Sequence, residues 1–339
     1  MPDKIKIAVN RGATCDGCDM ALIDIDQLLL DLFDVADLVF APTYMDAKYE
    51  DVEKMPDGYI TATLVHGSMR DEENVHMVKL LRKKSQLMVA FGACSSFGGV
   101  PALANAVKGG MGRIWDTVYG KDTASTVNPE NQRPQYEWKT PKGHILTLPK
   151  AQSKIVPMDQ VIDVDYYLPG CPPAVSTIVA FIQAVFGFVK EGKPLPPKGS
   201  VIASQKTLCD ECPRTKSDKY NITKVNRPHL VELDQEKCFL DQGVICMGIA
   251  TRAGCGAQCT MMGNMPCRGC YGPTGLVLDQ GASMLSALGS ILDMTDHELD
   301  LGDDELDKIV AQVPDPLGTF YRYTYGNALI NEVVEDVEE

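Results

Sequence analysis

The sequence predicts an α/β protein: an open, mostly parallel, doubly wound sheet domain followed by a smaller, irregular, helix-containing domain rich in cysteine. Three observations carry this expectation. Four apolar, β-branched runs alternate with helix-like segments early in the chain. A Pro- and Lys-rich stretch, "KEGKPLPPKGS" from Lys190 to Ser200, has the composition of a boundary. Eight of the twelve cysteines lie beyond it. At 339 residues the chain is long for one domain, which divides it into 1–195 and 196–339.

The expected strands are "KIKIAVN" (4–10), "DLVFAPT" (37–43), "YITATLVHG" (59–67), "QLMVAFGAC" (86–94) and "VIDVDYYLPG" (161–170). Among the first four lie "DMALIDIDQLLLDLF" (19–33) and "RDEENVHMVKLLRKK" (70–84), read as helices, which is βαβα order. Residues 105–160 contain "NPENQRPQYEWKTPKGH", the composition of a long surface excursion, and no structure is assigned to them. The run "AVSTIVAFIQAVFGFV" (174–189) is short for a bilayer and carries Ser176, Thr177 and Gln183, so it reads as a buried helix and not a membrane span. Beyond the boundary, "GASMLSALGSILDM" (281–294) and "DELDKIVAQV" (304–313) are periodic enough for helices. With few strand-like runs, this part is expected to have a thin core held by metal.

The formal net charge of -14 argues against nucleic-acid binding, which needs a basic face. The acidic surplus, including the tail "NEVVEDVEE", keeps the surface solvated. The beginning "MPDKIKIAVNRG" reads as a first strand with no signal-peptide run or twin arginine, which places the protein in the cytoplasm. In that reducing compartment twelve cysteines point to metal or redox chemistry before disulfides.

The cysteines fall into three groups of four. Cys15 and Cys18 form a C-x2-C after the first strand, Cys94 closes the fourth strand, and Cys171 follows the fifth. All four sit at carboxyl ends of expected strands, where ligands of open α/β sheets gather. Glycines beside them (Gly17, Gly92, Gly98, Gly99, Gly170) allow close backbone approach, and Pro169, Pro172 and Pro173 fix the chain around Cys171. The second group is Cys209 and Cys212 in "LCDECP" with Cys238 and Cys246 in "EKCFLDQGVIC"; the third is Cys255, Cys259, Cys267 and Cys270 in "GCGAQCTMMGNMPCRGC". For an isolated pair of C-x2-C motifs zinc is the stronger reading. Three groups of four, one in a sheet crevice, look instead like a series of iron-sulfur centres, each taking four thiolates.

At "CDGC", "GACSSFGG", "LPGCPP", "CDECPR", "CMGIATRAGCGAQC" and "PCRGC" the chain resembles the small subunit of a [NiFe] hydrogenase over nearly its whole length. More narrowly, it is similar to the cytoplasmic methyl-viologen-reducing type associated with heterodisulfide reductase in methanogens. The resemblance implies a flavodoxin-like first domain and three [4Fe-4S] clusters. The proximal one would lie on Cys15, Cys18, Cys94 and Cys171, the distal one on Cys209, Cys212, Cys238 and Cys246, and the medial one on Cys255, Cys259, Cys267 and Cys270. Many relatives have histidine at the position of Cys209, and many have proline at that of Cys259, holding a three-iron medial cluster. The fourth thiolate here implies a complete, lower-potential centre.

The resemblance further implies a large subunit that carries the bimetallic site and splits H2, leaving this chain as the electron-transfer subunit with no catalytic residue of its own. An iron-sulfur adaptor subunit and a heterodisulfide reductase complex would follow as partners. A deazaflavin-coenzyme-reducing hydrogenase, a sulfhydrogenase, a relay subunit without hydrogenase partner and a multi-zinc structural protein remain as alternatives. No phosphate loop follows the first strand, where "NRGATCDGC" stands, so neither flavin nor nicotinamide is expected. His66, His76, His144, His229 and His297 lack metal-ligand spacing and read as surface or structural residues. His66, ending a strand at the crevice, is the candidate donor to a cluster sulfur.

Overall fold

The computed structural model describes residues 4–121, 127–218, 222, 224–275, 277–291, 308 and 311–331. In chain order the first elements are β1 (Ile5–Arg11), α1 (Gly17–Ile23), α2 (Gln27–Val35), β2 (Ala36–Phe40), α3 (Tyr49–Lys54), β3 (Ile60–His66), β4 (Met69–Asp71), α4 (Glu72–Lys84), β5 (Ser85–Phe91) and α5 (Ala93–Phe97). There follow α6 (Gly110–Tyr119), β6 (Glu137–Lys139), β7 (Ile145–Thr147), β8 (Ala151–Val156), β9 (Tyr166–Leu168), α7 (Val175–Glu191) and β10 (Ser200–Val201). Short helices α8 (Leu208–Glu211) and α9 (Gln258–Met261) precede α10 (Gln280–Ile291).

Six strands form one parallel sheet in the order β10-β9-β5-β3-β1-β2. This is the doubly wound, flavodoxin-like arrangement. Residues alternate between its faces with the period of two that strands impose. Val65, Met88 and Ala90 face α3 and α4 with Val52, Met77, Val78 and Leu81, whereas Leu64, Val89 and Phe91 face α1 and α7 with Ala21, Ile178, Phe181 and Ile182. Helix α4 has consistent ends: the Asp71 side chain accepts from Asn74 N at 2.9 Å, acidic residues occupy the first turn, and Arg82, Lys83 and Lys84 occupy the last.

Several elements differ from expectation for identifiable reasons. The run 19–33 is two helices, parted at Asp26, whose φ of 54° no helix accommodates. Apolar spacing continues across the break, so periodicity does not register it. Helix α2 has no fully buried residue, and an apolar cavity of about 390 Å³ lies beneath it, lined by Ile7, Leu22, Leu29, Leu64, Phe181 and Val185 among others. Of 161–170 only Tyr166–Leu168 is strand: ahead of it the Asp165 carboxylate accepts Met88 N at 2.8 Å, a side chain standing in the ladder. The excursion 105–160 contains α6, an exposed β6–β7 hairpin, and β8, which pairs antiparallel with β4.

Residues 200–201 return to the sheet as its edge strand β10. The cysteine-rich part is better packed than its sequence suggests: Phe239, Ile245, Met247, Met284, Leu288, Phe320, Tyr321 and Tyr325 are buried in one cluster. Most of them sit on loops and single turns, where no periodicity reveals them. The run 281–294 matches α10, and 304–313 falls mostly outside the described residues. Among the described residues no helix is long and apolar enough to cross a membrane.

The two parts interlock. The Tyr271 hydroxyl accepts from Ala174 N at 3.0 Å and lies 2.8 Å from Thr177 Oγ1, which itself donates to Gly254 O at 3.1 Å.

Candidate metal centre

The carboxyl ends of β1, β3, β5 and β9 lie side by side, since Arg11 pairs with His66, Val65 with Ala90 and Phe91 with Leu168. From these ends come Cys15 and Cys18, the latter in the first turn of α1, Cys94 in α5, and Cys171. Hydrogen bonds from Gly92 N to Leu168 O (2.7 Å) and from Ala93 N to Gly170 O (2.6 Å) hold the last two loops together. The Cys171–Pro172 bond is cis.

The four thiols converge. Burial pushes the Cys18 thiol well up, and Cys94, Cys171 and Cys15 add to it. Cys94 is pushed up to about 12 by burial, then by Cys171 and Cys15; Cys171 rises by burial, then by Cys15. Two glycines leave room for the sulfurs. A Cβ on Gly92 (φ 87°) would sit 2.5 Å from Cys18 Sγ, and one on Gly99 (φ 58°) 2.5 Å from Cys94 Sγ.

The second set also gathers. Cys209 is pushed up to about 12 by burial, then by Cys246 and Cys238. Cys246 rises to about 11 by burial and the Cys238 and Cys212 thiols, opposed by N–H groups of Gly248 and Cys267. The third set neighbours both others. Cys270 is pushed up to about 12 by burial, then by Cys255 and by Cys171 of the first set. Burial, then Cys246 of the second set and Cys270, lift Cys267. Cys255 is raised by burial and, more weakly, by Glu211 and Cys259. Backbone donors point at the sulfurs: Cys267 N donates to Cys246 Sγ at 3.2 Å and Gly269 N to Cys267 Sγ at 3.4 Å.

All twelve cysteines are free. Neighbouring thiols, with N–H donors aimed at Cys246 and Cys267 and space beside Cys18 and Cys94 kept clear by glycine, suit a group that binds thiolates and takes hydrogen bonds to sulfur. Iron-sulfur clusters have that demand.

His66 does not serve a sulfur. It is fully buried, with Nε2 3.0 Å from Asp19 Oδ1 and Nδ1 3.3 Å from Thr14 Oγ1. Thr43 and Tyr44 hydroxyls donate to the same Asp19 carboxylate at 3.0 Å each. Although burial opposes it, His66, Thr43 and Tyr44 together hold Asp19 below the usual carboxylate range. Asp16, Asp19 and His66 bring ligand-type atoms within 4.8 Å of one another, a grouping that no sequence spacing announces. His66 and Asp19 bond each other, whereas Asp16 Oδ2 accepts from Arg11 Nη1 at 3.0 Å.

The family model described as NADH ubiquinone oxidoreductase, 20 Kd subunit, matches residues 15–185. The iron-sulfur subunit of the F420-non-reducing hydrogenase of Archaeoglobus profundus is 38% identical over 97% of this chain and 98% of its own length. The chain belongs to this family of hydrogenase small subunits. Another relative in it, from the F420-non-reducing hydrogenase vhu of Methanococcus voltae, is 33% identical across 99% of this chain and 100% of its own. Among solved structures, a chain of an NAD+-reducing [NiFe]-hydrogenase in the H2-reduced state aligns at 29% identity and a TM-score of 0.47, covering 57% of this chain and 95% of that one. As a small subunit of this family, the chain is part of an oxidoreductase acting on H2.

Proposed function

We propose that this chain is the electron-transfer subunit of a [NiFe] hydrogenase, with a proximal [4Fe-4S] cluster on Cys15, Cys18, Cys94 and Cys171, a medial one on Cys255, Cys259, Cys267 and Cys270, and a distal one on Cys209, Cys212, Cys238 and Cys246. When bound, these clusters supply the one-electron redox chemistry that links H2 oxidation on a large subunit to an iron-sulfur adaptor and a heterodisulfide-reductase-type complex in the cytoplasm. Residues 1–195 hold the first set and 196–339 the other two. The protein's own part is to hold thiolates at fixed spacing, to exclude water and to aim N–H groups at sulfur.

What supports this reading is the neighbourhood of the twelve free cysteines: Cys15, Cys18, Cys94 and Cys171 act on one another, and Cys270 and Cys267 adjoin Cys171 and Cys246 respectively. Its support for the F420-non-reducing type is the near-complete overlap with those relatives. The gamma chain of the Coenzyme F420 hydrogenase of Methanosarcina barkeri, at 29% identity, matches 52% of this chain.

Iron and acid-labile sulfide analysis of anaerobically purified protein tests it, with about twelve irons per chain expected at four per cluster. A zinc-rich, iron-poor sample overturns it in favour of a multi-zinc protein. Copurification with a larger, nickel-containing chain tests the partner, and a Cys259→Ser variant with an unaltered medial signal overturns the role given to that thiol.

A further inference from the structure

The motif "CDECPR" supplies more than two cysteines. Of its three charged residues, Asp210 caps its own helix, while Glu211 and Arg214 reach the loop of the third set, one at each end. The Glu211 carboxylate accepts from Gly254 N through Oε2 and from Gly256 N through Oε1, both at 3.0 Å, and so holds the residues before and after Cys255. Arg214 grips the other end. Its Nε and Nη2 donate to Thr260 O at 3.0 and 2.8 Å, directly after Cys259, and Nη2 donates to Asn264 Oδ1 at 2.6 Å. Its Nη1 turns back to the second set, donating to Asp234 O at 2.8 Å and to Lys237 O, next to Cys238, at 2.9 Å.

Arg214 is 6% exposed, and its guanidinium stacks 4.1 Å over Phe239. Among the described residues its hydrogen-bond acceptors are carbonyl oxygens, with no carboxylate. The nearby Asp234 carboxylate is exposed and engaged by Glu236 N at 2.8 Å and Lys237 N at 3.3 Å. Lys216, also exposed, donates to Cys209 O and Cys212 O. A buried cation whose direct partners are neutral dipoles keeps a long-range field, offset only in part by the exposed Asp234 carboxylate, with which it interacts by charge. Glu211 is exposed, so its field is weaker, but its carboxylate lies against the N–H groups on either side of Cys255.

We infer that Glu211 and Arg214 are a pair of positioning residues that clamp the third cysteine set against the second and bias its reduction potential in opposite directions. The inference rests on the iron-sulfur reading above. Reduction adds an electron to a cluster, so a fixed positive charge favours the reduced form and a fixed negative charge disfavours it. Arg214 adjoins both the second and third sets, and Glu211 adjoins Cys255 of the third.

The test is a redox titration of the anaerobic holo-complex, followed by electron paramagnetic resonance, for wild type, Arg214→Gln, Arg214→Lys and Glu211→Gln. The medial and distal potentials are expected to fall in Arg214→Gln and to stay near wild type in Arg214→Lys. The medial potential is expected to rise, by a smaller step, in Glu211→Gln, with the proximal potential unchanged throughout. A loosened loop alone would move both neutralising variants the same way, so shifts of equal sign overturn the inference, as do potentials that do not move. If Arg214→Gln fails to fold or load, Glu211→Gln decides alone, and no upward medial shift in it overturns the inference. A wild-type complex without iron-sulfur signals refutes the underlying reading instead, which keeps the two failures distinct.

Discussion

Replacing Gly92 by alanine should empty the first cysteine set while leaving the other two intact. Gly92 has φ 87° and ψ 163°, a region almost reserved for glycine, which costs another residue about 2 kcal/mol. The added Cβ would also stand 2.5 Å from Cys18 Sγ. An ordinary contact is about 3.5–4 Å, so sulfur and backbone must separate by about 1 Å. Neither partner retreats freely. Cys18 packs against the sheet cluster that includes Phe91 and Leu168, and Gly92 N is bonded to Leu168 O. A displacement of that size misplaces a ligand whose bond length to metal tolerates only a few tenths of an ångström. Iron and sulfide assays on anaerobically reconstituted Gly92→Ala protein should therefore give about eight irons in place of about twelve. Thermal unfolding of the same protein should show a loss of about 2 kcal/mol. Full iron content with an unshifted melt would refute the argument that this glycine keeps space for a sulfur.

Asp165 accepts from Arg82 Nη1 at 2.6 Å and from Lys198 Nζ at 2.5 Å; although burial opposes it, these partners and Met88 N hold its carboxyl below 3.8. Its contribution is present above pH about 4 and is lost as pH falls through the lowered folded value. Asp165→Asn should cost about 3 kcal/mol near neutrality and flatten the acid limb of a stability curve; an unchanged limb would count against it. The crowded thiols have the opposite sign. Cys94, Cys209 and Cys246 are raised from 9.0 to about 12, 12 and 11, so the folded metal-free chain favours neutral thiols, and that stability is full below pH 9 and lost above it. Denaturant midpoints should drop from about pH 9 up to about pH 12, and iron loading should release protons to a pH indicator. His66→Ala should leave the buried Asp19 without its ring partner and cost about 2–4 kcal/mol by chemical denaturation, against less than 1 for a mere surface change. Tyr271→Phe removes the hydroxyl shared by Thr177 and Ala174 N; about 1–2 kcal/mol and faster proteolysis between the two parts are expected, and wild-type resistance would contradict it.

The sheet was legible because its strands are continuous apolar runs with helices between them, and burial on both faces leaves that mark on composition. The cysteine sets were legible because ligand chemistry demands one residue type at short spacing. What escaped has no periodic trace. The break at Asp26 lies inside an uninterrupted apolar pattern, and the core around Phe239 and Tyr321 is assembled from single turns. His66 illustrates a different limit: its position at a strand end beside the crevice could be read from the chain. Its commitment to Asp19 and Thr14 depends on which way the ring turns, a matter of packing between residues 47 and 52 positions apart. Glu211 and Arg214 are similar, since their acceptors and donors lie over 40 positions downstream at Gly254 and Thr260.

The first cysteine set is complete once Cys171 has been made, yet its surroundings are not. Gly99 N donates to Tyr323 O at 3.1 Å, and a Cβ on Gly98 would meet Gly326 Cα at 2.9 Å, so the backbone behind Cys94 is backed by residues near the end of the chain. Tyr323 also senses Cys171 and Cys270. The wall behind Cys94 is thus encoded about 150 positions after Cys171. A substitution at Tyr323 or Gly326 would therefore be felt at the backbone of Cys94, although neither lies near any of the four thiols in sequence.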